Sequence, residues 1–177
     1  MPVIRGLHHV SRAVADIDRS LGFYRDLLGL RVFSEEELEG AALERIVGVP
    51  GARLRVVELS IEGSVLLELI EYRHPKGTPL PISATPADVG SHHVALLVND
   101  VGAAYRTLSA SGVRFNAPPS EIGGGPFAGT RTTYCFDPDG LTVELWQPPS
   151  SLRSAQPRAR SRSAPHHVPM TTGGENA

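Results

Sequence analysis

The sequence predicts an α+β fold built from two tandem βαβββ modules. The first observation is a repeat: the tripeptide His8-His9-Val10 returns as His92-His93-Val94, at an offset of 84 residues (93 minus 9). The second is that the two halves close alike, with Leu67-Glu68-Leu69 in one and Val143-Glu144-Leu145 in the other. Self-similarity at such a distance is typical of an internal duplication, so each half is expected to repeat one supersecondary unit.

The first half begins with alternating apolar residues that predict a strand over residues 7–14. Asp16 then stands where a helix N-cap is expected, and apolar residues at helical spacing continue to Gly29, which ends the helix. The remaining predicted elements are a strand at 30–34, a short helix at 41–47, and strands at 53–61 and 64–72 around the turn Glu62-Gly63.

The second half repeats this plan after a linker at 74–90, whose four prolines oppose regular structure. Asp100 is again the predicted N-cap, and Gly112 is the predicted helix end. The predicted strands of this half are 93–98, 113–116, 130–136 and 141–147, with a loop at 118–129 and a turn at 137–140.

These patterns divide the chain into a first module at 1–73, the linker at 74–90, a second module at 91–147 and a tail at 148–177. The tail is rich in Pro, Ser, Arg and Gly and has no periodic apolar face, so it is expected to be disordered. It carries four arginines and one glutamate, so it is basic with a net charge of +3.

Composition excludes several classes of protein. No apolar run approaches the ~20 residues of a transmembrane helix, and the N-terminus lacks the apolar core of a signal peptide, so no membrane association is expected. The single cysteine, Cys135, excludes an internal disulfide, fits a reducing compartment and predicts a cytoplasmic location. The whole chain has a net charge of −2, so with the tail at +3, residues 1–147 have a net charge of −5. This mildly acidic part gives no reason to expect nucleic-acid binding.

The duplication brings out a candidate metal site. A carboxylate between two apolar neighbours on a strand faces either water or a cation, because burying it unpaired costs several kcal/mol. If the concave faces of the two halves meet, four groups at equivalent positions converge: His9, Glu68, His93 and Glu144. Two imidazoles and two carboxylates suit a divalent ion such as Zn, Ni, Co, Mn or Fe(II), although any one of these residues taken singly is more commonly a solvated polar group.

Strand alternation distinguishes the adjacent histidines. Val10 and Val94 share the parity that packs on the helices, so His9 and His93 point to the opposite face. Their neighbours His8 and His92 then fall on the helix side, where packing or a hydrogen bond at the strand entry is expected. Arg12 also falls on the helix side and is an exception to the pattern.

Several weaker candidates remain. Arg131 could hold an anionic group of a substrate, although a surface arginine beside a strand is more common. The loop 118–129 could close over a pocket through Phe127, or it could be a simple connection. Tyr72, Tyr134 and Trp146 are expected in the core or at the rim of the pocket, and Cys135 is expected to serve packing.

Both halves of the sequence resemble the vicinal oxygen chelate superfamily, which includes glyoxalase I, methylmalonyl-CoA epimerase, extradiol dioxygenases and antibiotic-resistance proteins. The resemblance rests on HHVSRAVADIDRSLGFYRDLLGL with ELIEY, and on HHVALLVNDVGAAYRTLSASGV with FDPDGLTVELWQP, and covers about residues 5–148. It implies paired βαβββ modules that form a cupped mixed sheet around a divalent metal ion, commonly in a homodimer. The ligand positions of the superfamily fall on the same four residues, His9, Glu68, His93 and Glu144.

The number of ligands indicates a reaction class. Four protein ligands on a six-coordinate ion leave two open positions, enough for the vicinal oxygens of a small substrate but not also for O2. We therefore expect an isomerase or lyase that abstracts a proton next to a metal-chelated carbonyl through an enediolate or enolate. The resemblance to glyoxalase I implies that a ligand glutamate, Glu144 or Glu68, is the catalytic base. The alternatives are a non-catalytic protein that binds a small molecule such as an antibiotic, and an extradiol-type Fe(II) dioxygenase.

Overall fold

The two predicted βαβββ modules are both present in the computed structural model, which describes residues 4, 6–61, 66–79 and 85–150. The first module comprises β1 His9–Ala13, α1 Ile17–Leu21 with a π-helical continuation Gly22–Leu27, β2 Arg31–Glu39, α2 Ala41–Val47, β3 Arg53–Ser60 and β4 Leu66–His74. The second comprises β5 His93–Leu97, α3 Val101–Ala110, β6 Ser120–Glu121, a 3-10 turn Gly125–Phe127, β7 Arg131–Phe136 and β8 Thr142–Gln147. The predicted turn Glu62-Gly63, part of the linker and nearly all of the tail lie outside the described residues.

Each module forms its own four-stranded mixed sheet. The strand order is β1-β4-β3-β2 in the first sheet and β5-β8-β7-β6 in the second. β1 runs parallel to β4 and β5 runs parallel to β8, while the other neighbouring strands are antiparallel. Ser11 lies opposite Glu68, and Ala95 lies opposite Glu144, so the duplicated histidines and glutamates occupy matching places on the two sheets.

Two strands differ from their predictions. β2 extends to Glu39 rather than ending near residue 34, because it pairs along most of its length with β3 and exposes its acidic side chains at the outer edge of the sheet. The predicted strand at 113–116 is wrong: this stretch makes one isolated bridge, from Phe115 to Cys135, and the edge strand is β6. Pro118 and Pro119 follow after Ala117 and lack the N–H groups that would continue a ladder.

The duplication extends to the caps of the helices. Asp16 accepts a hydrogen bond from the N–H of Arg19 at 2.9 Å, and Asp100 accepts one from Ala103 at 2.9 Å, as the N-cap prediction requires. Glu71 on β4 accepts from the N–H of Ile17 at 3.1 Å. In the second module, Gln147 on β8 accepts from Val101 at 2.7 Å. Each first helix of a module is therefore fastened to the last strand of that module.

The helix-facing apolar residues of both sheets form one core that is shared between the modules. A second, smaller cluster lies under α2, where Leu43 packs with Ala52, Leu54 and Val56. Leu54 and Val56 have the strand parity of Glu58, whereas the helix-facing core contains Leu59. Because parity alternates between faces, α2 covers part of the face of the first sheet that carries Glu58.

A buried arginine joins the modules. Arg12, 2% exposed, donates to the hydroxyl of Tyr24 at 3.1 Å, to Asp137 at 3.4 Å and to the carbonyl oxygen of Thr142 at 2.6 Å. The Tyr24 hydroxyl also donates to Asp137 at 2.8 Å, and burial raises the pKa of Tyr24. Arg12, which is an exception to the alternation of β1, thus forms an ion pair with Asp137 of the second module. None of the helices in the described ranges has the length and apolar character needed to span a membrane.

Candidate metal centre

The first predicted pair lies on adjacent strands of the first sheet. Nε2 of His9 stands 3.7 Å from Oε2 of Glu68. Leu67 and Leu69, on either side of Glu68, are buried in the helix-facing core, so alternation turns Glu68 to the opposite face. The His9 side chain is 40% exposed and that of Glu68 is 17% exposed, which leaves the pair accessible from solvent.

The second pair is tighter and more buried. Nε2 of His93 stands 3.1 Å from Oε2 of Glu144, whose side chain is 8% exposed. The hydroxyl of Thr132 donates to Oε1 of Glu144 at 2.7 Å, so each oxygen of this carboxylate faces a partner. The ring of Tyr134 lies 5.1 Å from that of His93, and burial, with a smaller effect of Glu144, raises the pKa of the Tyr134 hydroxyl.

Thr132 is not among the predicted site residues, and Tyr134 is predicted only for the core or the rim of the pocket. Tyr134 lies directly opposite Glu144 in the β7–β8 ladder, and Thr132 is two residues away on the same face of β7. Alternation along β7 alone could not identify them, because the alignment of β7 against β8 depends on the turn at 137–140. A paired alignment of the two strands would have placed both residues beside Glu144.

The four predicted ligands stand as two separate pairs, one in each module. In the part of the chain that the structure describes, one group of three potential ligands has its donor atoms within 4.8 Å of one another, and it consists of His8, His9 and Glu58. Parity placed His8 on the helix side, but β1 begins at His9, so alternation does not extend to His8. Its Nδ1 instead lies 2.9 Å from Nδ1 of His9.

The two pairs have a donor chemistry that fits a metal ion. With bonds of about 2.1 Å, neighbouring nitrogen and oxygen ligands on a tetrahedral or octahedral ion stand roughly 3.0–3.4 Å apart. The separation of 3.1 Å between His93 and Glu144 lies within this range, and the separation of 3.7 Å between His9 and Glu68 is slightly longer. Imidazole with carboxylate suits Zn, Ni, Co, Mn or Fe(II) better than Mg or Ca, which prefer oxygen ligands alone.

The other predicted residues divide between the two faces. Arg131 has the parity of the buried Thr133, on the face opposite Glu144. The pKa of Asp100 is lowered mainly by the hydrogen bond from Ala103, and Arg131 contributes a smaller electrostatic effect, so Arg131 lies near the start of α3. This placement gives no support to a contact between Arg131 and substrate.

Phe127 does lie on the side of the second pair. It is 55% exposed, and its ring meets that of Trp146 edge to face at 5.4 Å between centroids. Trp146 follows Glu144 by two residues and shares its face of β8. Tyr72 packs under α2, and Cys135 is fully buried, with a pKa raised to about 11 by desolvation, as expected for a packing residue.

Two clefts lie away from the His–Glu pairs. One of about 440 Å³ separates α1 from the second module and is lined by residues that include Phe23, Leu27, Arg114 and Phe136. Another, of about 300 Å³, lies between the modules beside Leu30 and Leu97. Neither cleft is lined by any of the four predicted ligands.

Comparison with known proteins gives consistent results. The family model described as the Glyoxalase/Bleomycin resistance protein/Dioxygenase superfamily matches residues 6–145. The chain is 34% identical over 150 residues to a 2-epi-5-epi-valiolone epimerase of Actinomyces sp, covering 82% of this chain and 80% of that protein. It is 30% identical over 146 residues to the mitochondrial methylmalonyl-CoA epimerase of Mus musculus, covering 80% and 72%. A glyoxalase family protein from Bacillus cereus has a similar fold, with a TM-score of 0.71 at 19% identity, covering 85% of this chain and 99% of that one.

Proposed function

Because the chain belongs to the glyoxalase/bleomycin resistance protein/dioxygenase superfamily, we propose that it is a divalent-metal-dependent isomerase, specifically an epimerase that moves a proton at a carbon next to a carbonyl. The observation that carries the proposal is the repeated His–Glu pair at matching positions on the two sheets. The epimerase names of the two relatives described above support this reaction type. The substrate class is a small molecule with two neighbouring oxygens.

His9, Glu68, His93 and Glu144 would together hold the ion. When bound, such an ion polarises a substrate carbonyl and so acidifies the neighbouring C–H bond. The residues of the chain then have two tasks, which are to orient the substrate and to move the proton. Trp146 and Phe127 offer an aromatic wall on the side of Glu144, where the apolar part of a substrate could lie.

An epimerase must remove a proton from one face of a carbon and return a proton to the other face. Glu68 and Glu144 hold equivalent places in two duplicated sheets, so they suit the roles of acceptor and donor on opposite sides of a substrate. Thr132 holds one oxygen of Glu144, whereas the contact between Glu68 and its histidine is longer. We therefore assign Glu68 as the more mobile of the two proton-transferring groups.

We infer that the two pairs complete each other across the twofold axis of a homodimer. In this arrangement, His9 and Glu68 of one chain meet His93 and Glu144 of the partner, and a closed dimer contains two such sites. Strand residues with large exposed apolar side chains are consistent with a further interface: Val32 is 42% exposed, Phe33 38% and Leu97 60%.

Replacement of the glutamates tests the proposal. We expect Glu68→Gln and Glu144→Gln each to lower kcat by about 10²- to 10⁴-fold, because glutamine keeps the shape but loses the basic carboxylate. Glu121→Gln, on the exposed edge strand β6, is the matched control and should leave kcat unchanged. The assay follows exchange of substrate hydrogen for solvent deuterium over α-hydroxy ketones, hemithioacetals and acyl-CoA esters, with each metal supplied in turn.

Elemental analysis of the purified chain decides on metal dependence. The proposal requires one tightly held divalent ion per site. It fails if the chain carries no stoichiometric metal and also does not bind added Ni, Co, Zn or Mn. Ligand binding without exchange would indicate a binding protein, product rearrangement without epimerisation would indicate a lyase or another isomerase, and O2 consumption with Fe(II) would indicate an oxygenase.

A further inference from the structure

We propose that His8, His9 and Glu58 form a second metal-binding site, which takes a borderline transition-metal ion such as Zn²⁺, Ni²⁺ or Co²⁺. The donor atoms of these three residues lie within 4.8 Å of one another. Nδ1 of His8 and Nδ1 of His9 are 2.9 Å apart, near the spacing of roughly 3.0–3.4 Å between neighbouring ligands of one ion. A small rotation of the rings would allow both to face an ion.

The two nitrogens of His9 face different neighbours. Nε2 points towards Glu68 and Nδ1 points towards His8. Nδ1 of His8 therefore approaches His9 from the side that the first pair does not use. Both histidines are exposed, so an ion can reach them from solvent.

The charges around Glu58 favour a cation at this place. Glu58 lies directly opposite Glu68 across the β3–β4 ladder, and like charges in this relation destabilise a sheet. The hydroxyl of Ser34 donates to Oε2 of Glu58 at 2.8 Å and holds the carboxylate in place. One hydrogen bond leaves most of the accepting capacity of a carboxylate available, because its two oxygens offer about four lone-pair sites. A divalent ion beside Glu58 would offset the repulsion.

This donor set is not a by-product of the duplication. Tyr134 occupies the place in the second module that Glu58 occupies in the first, since it lies opposite Glu144 as Glu58 lies opposite Glu68. Glu58 therefore gives the first module a carboxylate at a place where the second module has a tyrosine. Two imidazoles and one carboxylate form a set that binds zinc with positions left open, and Mg²⁺ or Ca²⁺ would be poorly served by it.

Sharing His9 has a consequence for occupancy. A neutral imidazole has a single free lone pair, so His9 can serve one ion at a time. An ion on His8, His9 and Glu58 therefore competes for His9 with any ion held through Glu68. The second site is expected to fill at higher metal concentration than a four-ligand centre, because it has fewer ligands.

Calorimetric titration of the metal-free full-length chain tests the site. The double variant His93→Gln with Glu144→Gln removes the pair of the second module and serves as the parent. We expect this parent to bind one Zn²⁺ per chain, and Glu58→Gln or His8→Gln added to it to weaken binding at least about tenfold. His92→Gln, at the position equivalent to His8, is the matched control and should bind Zn²⁺ as the parent does.

Co²⁺ absorption gives a second readout that does not depend on activity. The ligand-field bands of the parent should change when His8 is replaced and stay the same when His92 is replaced. Binding of Zn²⁺ by both Glu58→Gln and His8→Gln with the affinity of the parent, in chains whose circular dichroism is unchanged, would overturn the site. A four-ligand centre is tested separately, since it fails if Glu144→Gln alone keeps the metal content and turnover of the unmodified chain.

Discussion

At the scale of single residues, Arg12 shows how a break in a sequence pattern can mark a tertiary contact. Its position on the helix side of β1 indicates burial, which is unfavourable for an unpaired charge. The structure pairs it with Asp137, a residue 125 positions away, and Tyr24 bonds to both. No local pattern could supply that partner, because the contact depends on how the two modules pack.

Arg12→Ala should lower the free energy of unfolding by about 3–5 kcal/mol, because it leaves the buried carboxylate of Asp137 without its cation. Urea unfolding followed by circular dichroism measures the loss. Arg25→Ala is the control, since Arg25 pairs with Asp26 on the exposed surface, and its midpoint should hardly change. Equal midpoints for the two variants would contradict a structural role for the buried pair.

The same scale explains which site residues could be predicted. Alternation along one strand was enough to nominate His9 and Glu68 and their equivalents, because it needs no knowledge of neighbouring strands. Glu58 and Thr132 could not be predicted in this way. Glu58 lies beside Glu68, and Thr132 beside Glu144, only because of how the antiparallel strands are aligned. That the four nominated ligands form one centre stays a prediction.

At the scale of elements, local signals predicted the helices better than the strands. Asp16 and Asp100 mark the starts of α1 and α3 by direct hydrogen bonds to backbone N–H groups. Gly40 and Gly48, with φ of 104° and 70°, bound α2 on both sides in conformations that glycine adopts without strain. The length of β2 could not be predicted, because it is set by pairing with β3, which lies beyond α2 in the chain.

The cap of α3 gives a dependence on pH. The hydrogen bond from Ala103 lowers the pKa of Asp100 below its ordinary value of 3.8, so the carboxylate stabilises the fold above that value and loses its effect as pH falls through the lowered pKa. The difference in melting temperature between the unmodified chain and Asp100→Asn should therefore shrink below about pH 4, because asparagine is not titrated.

Melting curves between about pH 6 and pH 3 measure this effect. Asp16→Asn, at the equivalent cap of α1, should show the same trend, since the hydrogen bond from Arg19 lowers the pKa of Asp16. A difference in melting temperature that stays constant over the whole pH range would contradict a stabilising role for the ionised carboxylates of Asp16 and Asp100.

At the scale of the whole molecule, the duplication predicted the fold class but not how the modules meet. Both sheets and both first helices contribute to one core, and the contacts that lock it, such as Arg12 with Thr142, have no periodic signal in sequence. The result is a chain in which each module carries half of the proposed ligand set. Assembly of two chains then becomes a question that mixing experiments can decide.

Variants with damage in opposite modules should complement each other. Glu68→Gln and Glu144→Gln chains, inactive alone, are unfolded together and refolded at equal concentration. If a site takes one pair from each chain, half of the dimers are mixed and each mixed dimer has one intact site, so activity should recover to about a quarter of the unmodified level. Absence of any recovery, with mixed dimers demonstrated by mass spectrometry, would place all four ligands in a single chain.

The acidic residues of β2 affect how the edge of the first sheet meets other molecules. β2 lies at the open margin of the first sheet, where unpaired backbone groups could recruit a strand from another molecule. Glu35, Glu37 and Glu39 line this margin and are exposed, so two such margins repel each other as they approach. This repulsion opposes edge-to-edge stacking of sheets into fibres, while the faces of the sheets stay available for a closed pairing of two copies.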